Sequence, residues 1–214
     1  LQETKVHNEA FPLADVQSLG YHVEFFGQKA HYGVAILSKN APIFVQKGFP
    51  FGDPDAQRRL IHARFDIGGR EIDVINGYFP EGENRRHETK LPMKRAFYAD
   101  LNTYIDDLKG QGRELIVMGD MNISPHDNDV GIGDANAKRW LRNGTCSFLP
   151  EEREWYGDLM SRNLHDTYRK FNPDNADQFS WFDYRSKGFE DTPKRGLRID
   201  HILCTDGLIT DCVD

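Results

Sequence analysis

The stretch E-L-I-V-M-G-D-M-N-I-S-P, Glu114 to Pro125, organises the reading of the chain. Leu115 to Met118 form a short apolar run suited to a buried strand, and Gly119 ends it just before Asp120 and Asn122. Side chains alternate across a strand, so Asp120 and Asn122 share one side if the extended geometry continues, with Met121 turned into the core. Pro125 prevents simple continuation of a central strand. A carboxylate and an amide at the mouth of a rigid strand can hold a hard metal ion, a phosphate or an attacking water. The same two residues can instead cap a turn by bonding nearby backbone amides.

Upstream, Arg59 to Ile67 and Arg70 to Tyr78 alternate polar and apolar residues on either side of Gly68-Gly69, which marks a β-hairpin. Hairpins pair antiparallel, so the sheet is not of the all-parallel kind and a doubly wound nucleotide-binding fold is excluded. Tyr21 to Phe26 and Gly33 to Ser38 read as two further strands. The hairpin runs out into a polar loop, Gly77 to His87, with adjacent arginines at Arg85 and Arg86. Phe97, Leu101, Tyr104, Ile105 and Leu108 then recur at helical spacing, with Lys94, Asp100, Asn102 and Asp106 between them, and Gly110 and Gly112 end the helix. Asp134 to Arg142 predicts a short helix, and Pro150 with Glu151 and Glu152 opens another that runs to about Arg162. In the final strand, R-I-D-H-I-L-C, Asp200 interrupts an apolar run, which is costly unless the acid is paired, metal-bound or at the rim. The last residues, I-T-D-C-V-D, resemble an interrupted strand.

The 214 residues fit one domain spanning 1–214. No apolar run approaches the roughly 20 residues that a membrane helix needs, so no membrane partner is expected. Cys146, Cys204 and Cys212 are odd in number and far from metal or redox spacing, which predicts reduced thiols in a cytoplasmic protein. A net charge of -7 argues against indiscriminate nucleic-acid binding over the whole surface, while a local patch or a bound divalent cation can still attract phosphate. Phe179 to Arg198 is such a patch. Five aromatics, Phe179, Trp181, Phe182, Tyr184 and Phe189, alternate with five cations and three acids, a local charge of +2. That mixture suits a loop that meets phosphates with cations and bases with aromatic faces, or a surface loop whose aromatics bury locally.

The segments L-Q-E-T-K, G-Y-F-P-E-G-E, G-D-M-N-I-S-P, F-S-W-F-D-Y-R and R-G-L-R-I-D-H occur in the order and context of the exonuclease III family of abasic-site DNA-repair nucleases, which the chain resembles over nearly its whole length. The resemblance implies a four-layer αββα sandwich of two mixed, largely antiparallel sheets. It also implies Mg²⁺- or Mn²⁺-dependent phosphodiester hydrolysis by a monomer: 3′→5′ digestion of duplex DNA from nicks or 3′ ends, incision 5′ to abasic sites, and removal of 3′ blocking groups. By the same resemblance Glu3 is the principal metal carboxylate, joined in the metal network by Asp120 and Asn122. Asp120 orients or deprotonates the attacking water, Asn122 stabilises the phosphate, Tyr78 lies near the scissile phosphate, and Asp200 assists the leaving group. Trp181 and Phe182 wall the pocket for a base-free sugar. The candidate DNA contacts are Arg58, Arg59, Arg85, Trp181, Phe182, Arg185 and Lys187.

Two family features have no counterpart here: an amino-terminal strand ending in an asparagine, and a terminal S-D-H motif. Neither His126 nor His201 stands in the place of the family histidine, and neither is assigned a role. The chain is therefore read as a fragment lacking both termini, and these residues alone are expected to fold poorly and cleave little. The alternatives are a non-catalytic DNA-binding relative and a phosphatase of small phosphoesters.

Overall fold

The computed structural model describes residues 1–213. Its strands are β1 (His22–Phe26), β2 (Val34–Ser38), β3 (Phe44–Lys47), β4 (Leu60–Ile67), β5 (Arg70–Tyr78), β6 (Glu114–Asp120), β7 (Leu164–Asp166), β8 (Trp181–Phe182), β9 (Gly196–Leu197) and β10 (Asp200–Thr205). The helices are α1 (Leu13–Ser18), α2 (Lys90–Gly110), α3 (Asp134–Asn143), α4 (Pro150–Met160), α5 (Thr167–Phe171) and α6 (Asp206–Ile209).

Six strands form the main sheet in the order β3-β4-β5-β6-β10-β7. Every pair is antiparallel except β5 and β6. The β4–β5 hairpin closes at Ile67 and Arg70 over the expected glycine pair. Parallel strands need a long crossover, and α2 supplies it between β5 and β6.

One face of this sheet is dry. Leu60, Ile75, Leu115, Val117 and Leu203 pack there against Phe97, Tyr98, Leu101, Tyr104, Ile105 and Leu108 of α2, and against Tyr156 and Leu159 of α4. The aromatic stripe of α2 is thus core, and so are two of the polar residues interleaved with it, Lys94 and Asn102. On the other face, β4 and β5 meet a second sheet, β1 with β2, which α1 flanks. Phe11, just ahead of α1, stacks on Phe25 with ring centroids 4.5 Å apart. The layers run helix, sheet, sheet, helix. Residues 1–5 lie along this second sheet: Gln2 bridges Val34, and the amides of Thr4 and Lys5 donate to the carbonyls of Gly33 and Tyr32.

Strands β3, β7, β8 and β9, of four residues or fewer, carry too little pattern to be read from sequence. Ile209, read as part of an interrupted strand, instead ends the one-turn helix α6, and Asp214 lies outside the described residues. No helix among the described residues is long and apolar enough to cross a membrane.

The parallel register sets Gly77 beside Gly119 at the end of β5 and β6. Gly119 has φ +136°, and a Cβ on it would lie 1.9 Å from the Gly77 carbonyl oxygen. Only glycine allows the two strands to approach this closely. Gly119→Ala is expected to destabilise the protein by about 2–4 kcal/mol through strain and overpacking, read as a lower denaturation midpoint in urea.

Candidate active site

The sheet register builds the site. Tyr78 pairs with Asp120 across the parallel β5–β6 ladder, and Asp120 pairs with Asp200 across the antiparallel β6–β10 ladder. Paired residues project to the same side of a sheet, so three polar side chains stand in one row. Asn76, two residues before Tyr78 on the same face, donates to the carbonyls of Leu1 and Ala35, so that face looks toward the second sheet. Glu3 arrives from that opposite side and lines, with Tyr32, Arg59 and Tyr78, a cleft of about 340 Å³. Asp200, at the exposed rim, borders a second hollow of about 410 Å³ with Tyr168, Phe171 and Phe179. His201 alternates onto the other face. It is buried, within 2.8 Å of the Ile123 carbonyl and against the Tyr156 ring, which makes it a core residue.

Burial, with Asp200 as neighbour, pushes the Asp120 carboxyl up to about 7, and Glu3 adds to the effect. The Asn122 amide and the Lys94 ammonium oppose the shift without cancelling it. Tyr78 is pushed up to about 12 by burial and by the charges of Glu3 and Asp120, so it remains a phenol. Arg59 is the nearest guanidinium. It lies between the rings of Tyr32 and Tyr78, 4.8 and 4.9 Å from their centroids, donates to the Tyr78 carbonyl at 3.0 Å, and is held by Gln57 at 2.6 Å. Burial lowers its affinity for the proton, while the surrounding tyrosines and carboxylates favour its charge.

Asn122 departs from the extended geometry expected of it. The strand stops at Asp120, and Asn122 takes φ +53° because Asp120 Oδ1 accepts a hydrogen bond from its backbone amide at 3.0 Å. Its side-chain amide donates to the Phe79 carbonyl at 2.8 Å, and Met121 is fully buried. The capped turn and the functional cluster are therefore the same object. Behind it, Lys94 and Tyr98 of α2 donate to the carbonyls of Asn122 and Met121, both at 2.8 Å. Sequence reasoning missed Lys94, although a lysine three and four residues before Phe97 and Tyr98 stands on the apolar stripe of its helix.

The candidate DNA contacts divide. Arg59 joins the row. Arg58 donates to the Gly27 carbonyl at 2.6 Å and lies over Phe26, which commits it to the fold. Arg85 makes a two-pronged pair with Glu151, both contacts at 2.6 Å, and borders a separate groove with Arg86, Arg95 and Trp155. Trp181 is half-buried against Trp140 at the edge of a small second core of Ile132, Phe148, Leu197 and Ile199. Phe182 meets Phe179 edge-on, while Arg185 and Lys187 are exposed, Lys187 facing Glu190 at 3.4 Å. The aromatic segment is thus part buried and part exposed. Its Ser180 Oγ accepts from the amides of Ile199 and Asp200, each at 3.0 Å, which ties the segment to the row.

The donors fit a hard divalent cation. Glu3, Asp120, Asn122 and Asp200 offer only oxygen ligands on this side, and Asp120 is a largely buried acid facing two others without a cation bonded to it. Glu3 meets Lys5 at 3.4 Å and His31 at 3.7 Å. Among the described residues no three His, Cys, Asp or Glu side chains form a ready-made cage. Between the usual aspartate value near 4 and about 7, the folded chain retains a proton on Asp120 that the unfolded chain has released. Stability without metal therefore falls as pH rises through that window. Metal-free Asp120→Asn is expected to exceed the parent at pH 8 by roughly 2–4 kcal/mol and to match it at pH 4, with added Mg²⁺ raising the parent's melting temperature more than the variant's.

The whole chain, residues 1–214, matches the Endonuclease/Exonuclease/phosphatase family. It is 56% identical over 214 residues to exodeoxyribonuclease III of Haemophilus influenzae, covering all of this chain and 79% of that protein. An AP endonuclease structure from Archaeoglobus fulgidus superposes with a TM-score of 0.86 at 36% identity, covering all of this chain and 77% of the other. A 3′ phosphatase from Neisseria bound to product DNA hairpin superposes equally well, TM-score 0.86 at 35% identity, over 98% of this chain and 76% of that one. The protein belongs to the Endonuclease/Exonuclease/phosphatase family.

Proposed function

We propose that residues 1–214 form one catalytic unit of a divalent-metal-dependent DNA nuclease. It digests duplex DNA 3′→5′ from nicks and 3′ ends, incises 5′ to abasic sites and removes 3′ blocking groups, as a monomer in the cytoplasm. The observation that carries this reading is the row Tyr78–Asp120–Asp200, whose Tyr78 end lines a cleft together with Glu3. The names of its relatives, an exodeoxyribonuclease, an AP endonuclease and a DNA-bound 3′ phosphatase, favour DNA over small phosphoesters. A pure binder has no use for converging acids that repel phosphate.

Each residue then has a task. Glu3, with Asp120 and Asn122 in its network, would hold Mg²⁺ or Mn²⁺, which when bound would supply Lewis-acid polarisation of a phosphate oxygen. Asp120, poised near neutrality, accepts the proton of the attacking water. Water oxygen bonds to phosphorus as the bond to the 3′ oxygen breaks, and Asp200, at the exposed end of the row, assists that leaving oxygen directly or through water, the proton it takes up being drawn from solvent. Asn122 and the Tyr78 phenol donate to the phosphate, whose charge Arg59 offsets. Trp181 and Phe182 wall the sugar pocket, and Arg185 and Lys187 reach the backbone of DNA, while Arg58 and Arg85 are proposed only as outer contacts because their guanidinium groups already have partners.

In the natural full-length protein, excess EDTA should abolish cleavage and Mg²⁺ restore it. Asp120→Asn should lower the rate by about 10²-fold or more with DNA binding retained. Cleavage undiminished by EDTA, or an Asp120→Asn rate within a few-fold of the parent, would overturn the assignment. Trp181→Ala should weaken binding to an abasic duplex by about 1–3 kcal/mol more than to an intact one, measured on protein whose melting shows it folded. An unchanged ratio would make Trp181 a packing residue only.

A further inference from the structure

The nuclease reading leaves unexplained a fully buried charge pair behind the row. Lys94 of α2 and Glu152 of α4 have no exposed side-chain surface, and their charged groups meet at 2.5 Å. An ammonium has three N–H donors, and all three are used: Glu152 Oε1, the Asn122 carbonyl at 2.8 Å and the Glu81 carbonyl at 3.0 Å. Glu152 Oε2 accepts the backbone amides of Ser147 and Leu149, each at 2.8 Å, at the start of α4. One helical turn along α2, the Tyr98 hydroxyl donates to the Met121 carbonyl. Residues four apart on one helix therefore grip two consecutive carbonyls of the turn that follows Asp120. Lys94 also grips the segment that follows Tyr78, at Glu81.

A buried ion pair is weak evidence for stability, because its desolvation offsets its attraction and apolar residues often replace it without loss. What an apolar pair could not do is hold the backbone carbonyls of Glu81 and Asn122 in fixed positions. The held carbonyls belong to the two loops that continue β5 and β6 beyond Tyr78 and Asp120, and no solvent-facing function is open to groups this deeply enclosed.

We propose that Lys94, anchored by Glu152, and Tyr98 form a clamp that positions Asp120 and Asn122 for hydrolysis. They are positioning residues, touching neither substrate nor cation. The proposal rests on the nuclease reading for its consequence, though not for its geometry. A displacement of about 1 Å at such a site costs on the order of 10²-fold in rate, so partial release should be visible in kcat.

Two variants of the full-length protein test it. Tyr98→Phe removes one buried oxygen and retains the ring. Lys94→Met/Glu152→Gln removes both charges together, leaving no unpaired ion and keeping an acceptor for the α4 amides. Each is expected to lower kcat on abasic duplex about tenfold or more, with KM within about twofold and melting close to the parent. Hydrogen exchange at the Asn122 amide should accelerate in both. Parental kcat and parental exchange in a folded Tyr98→Phe would overturn the clamp, and that variant decides alone if the double variant does not fold. If the parent itself cleaves no DNA, the nuclease reading fails, and faster Asn122 exchange still supports the clamp as a device of the turn.

Discussion

A carboxylate buried beside another is the constraint on which this structure turns. Asp120 stands next to Asp200 across the ladder, with Glu3 arriving from the opposite sheet, and burial with Asp200 as neighbour raises Asp120 to about 7. A chain that needed only to fold would not bring them together, since each buried charge is disfavoured unless something positive answers it. The fold answers in part, with Arg59 between its two tyrosines in front and Lys94 behind. The remaining negative charge is of the kind that a bound cation offsets, and acids so offset no longer repel phosphate.

The rest of the architecture holds these groups still. The single parallel ladder aligns Tyr78 with Asp120, the neighbouring antiparallel ladder aligns Asp120 with Asp200, and two glycines let the strands meet beneath them. A second polar network repeats the pattern of α2 on the other flank. Arg198, two residues before Asp200, bonds Asp129 at 2.6 Å and Asp166 at 2.7 Å, and Ser124 Oγ donates to its carbonyl. Burial works against the Arg198 charge, but these carboxylates outweigh it and raise its pKa further above the ordinary arginine value. Each catalytic candidate thus stands at the end of a strand whose following or preceding segment is held by buried hydrogen bonds, which is what preorganisation requires.

Much of this was legible in the amino-acid sequence where a pattern repeats over many residues. The β4–β5 hairpin and the aromatic stripe of α2 each rest on five or more residues at a fixed period, the β6 run on four consecutive apolar residues, and each appears where its pattern put it. Asp120 and Asp200 were visible as acids breaking apolar runs. Three features were not. Strands of two to four residues have no period to read. For Asn122 the sequence leaves the extended strand and the capped turn both open, because alternation has no way to register that its neighbour's carboxylate takes its amide and turns the chain. Lys94 was read as one more polar residue of an amphipathic helix, since a charge at an apolar position declares itself only when its partner, 58 residues away, is known.

The aromatic segment shows how far composition carries. Alternating rings and cations suggested both a nucleic-acid surface and a locally buried loop, and the fold buries one part of the segment and exposes the other. Trp181 leans on Trp140, while Tyr184, three residues later, is 83% exposed beside Arg185. Ser180 closes the division, because its hydroxyl binds the two amides that begin β10 at Asp200. Those two bonds tie a segment that is half core and half surface to the start of that strand, so its exposed half keeps a fixed place relative to Asp200.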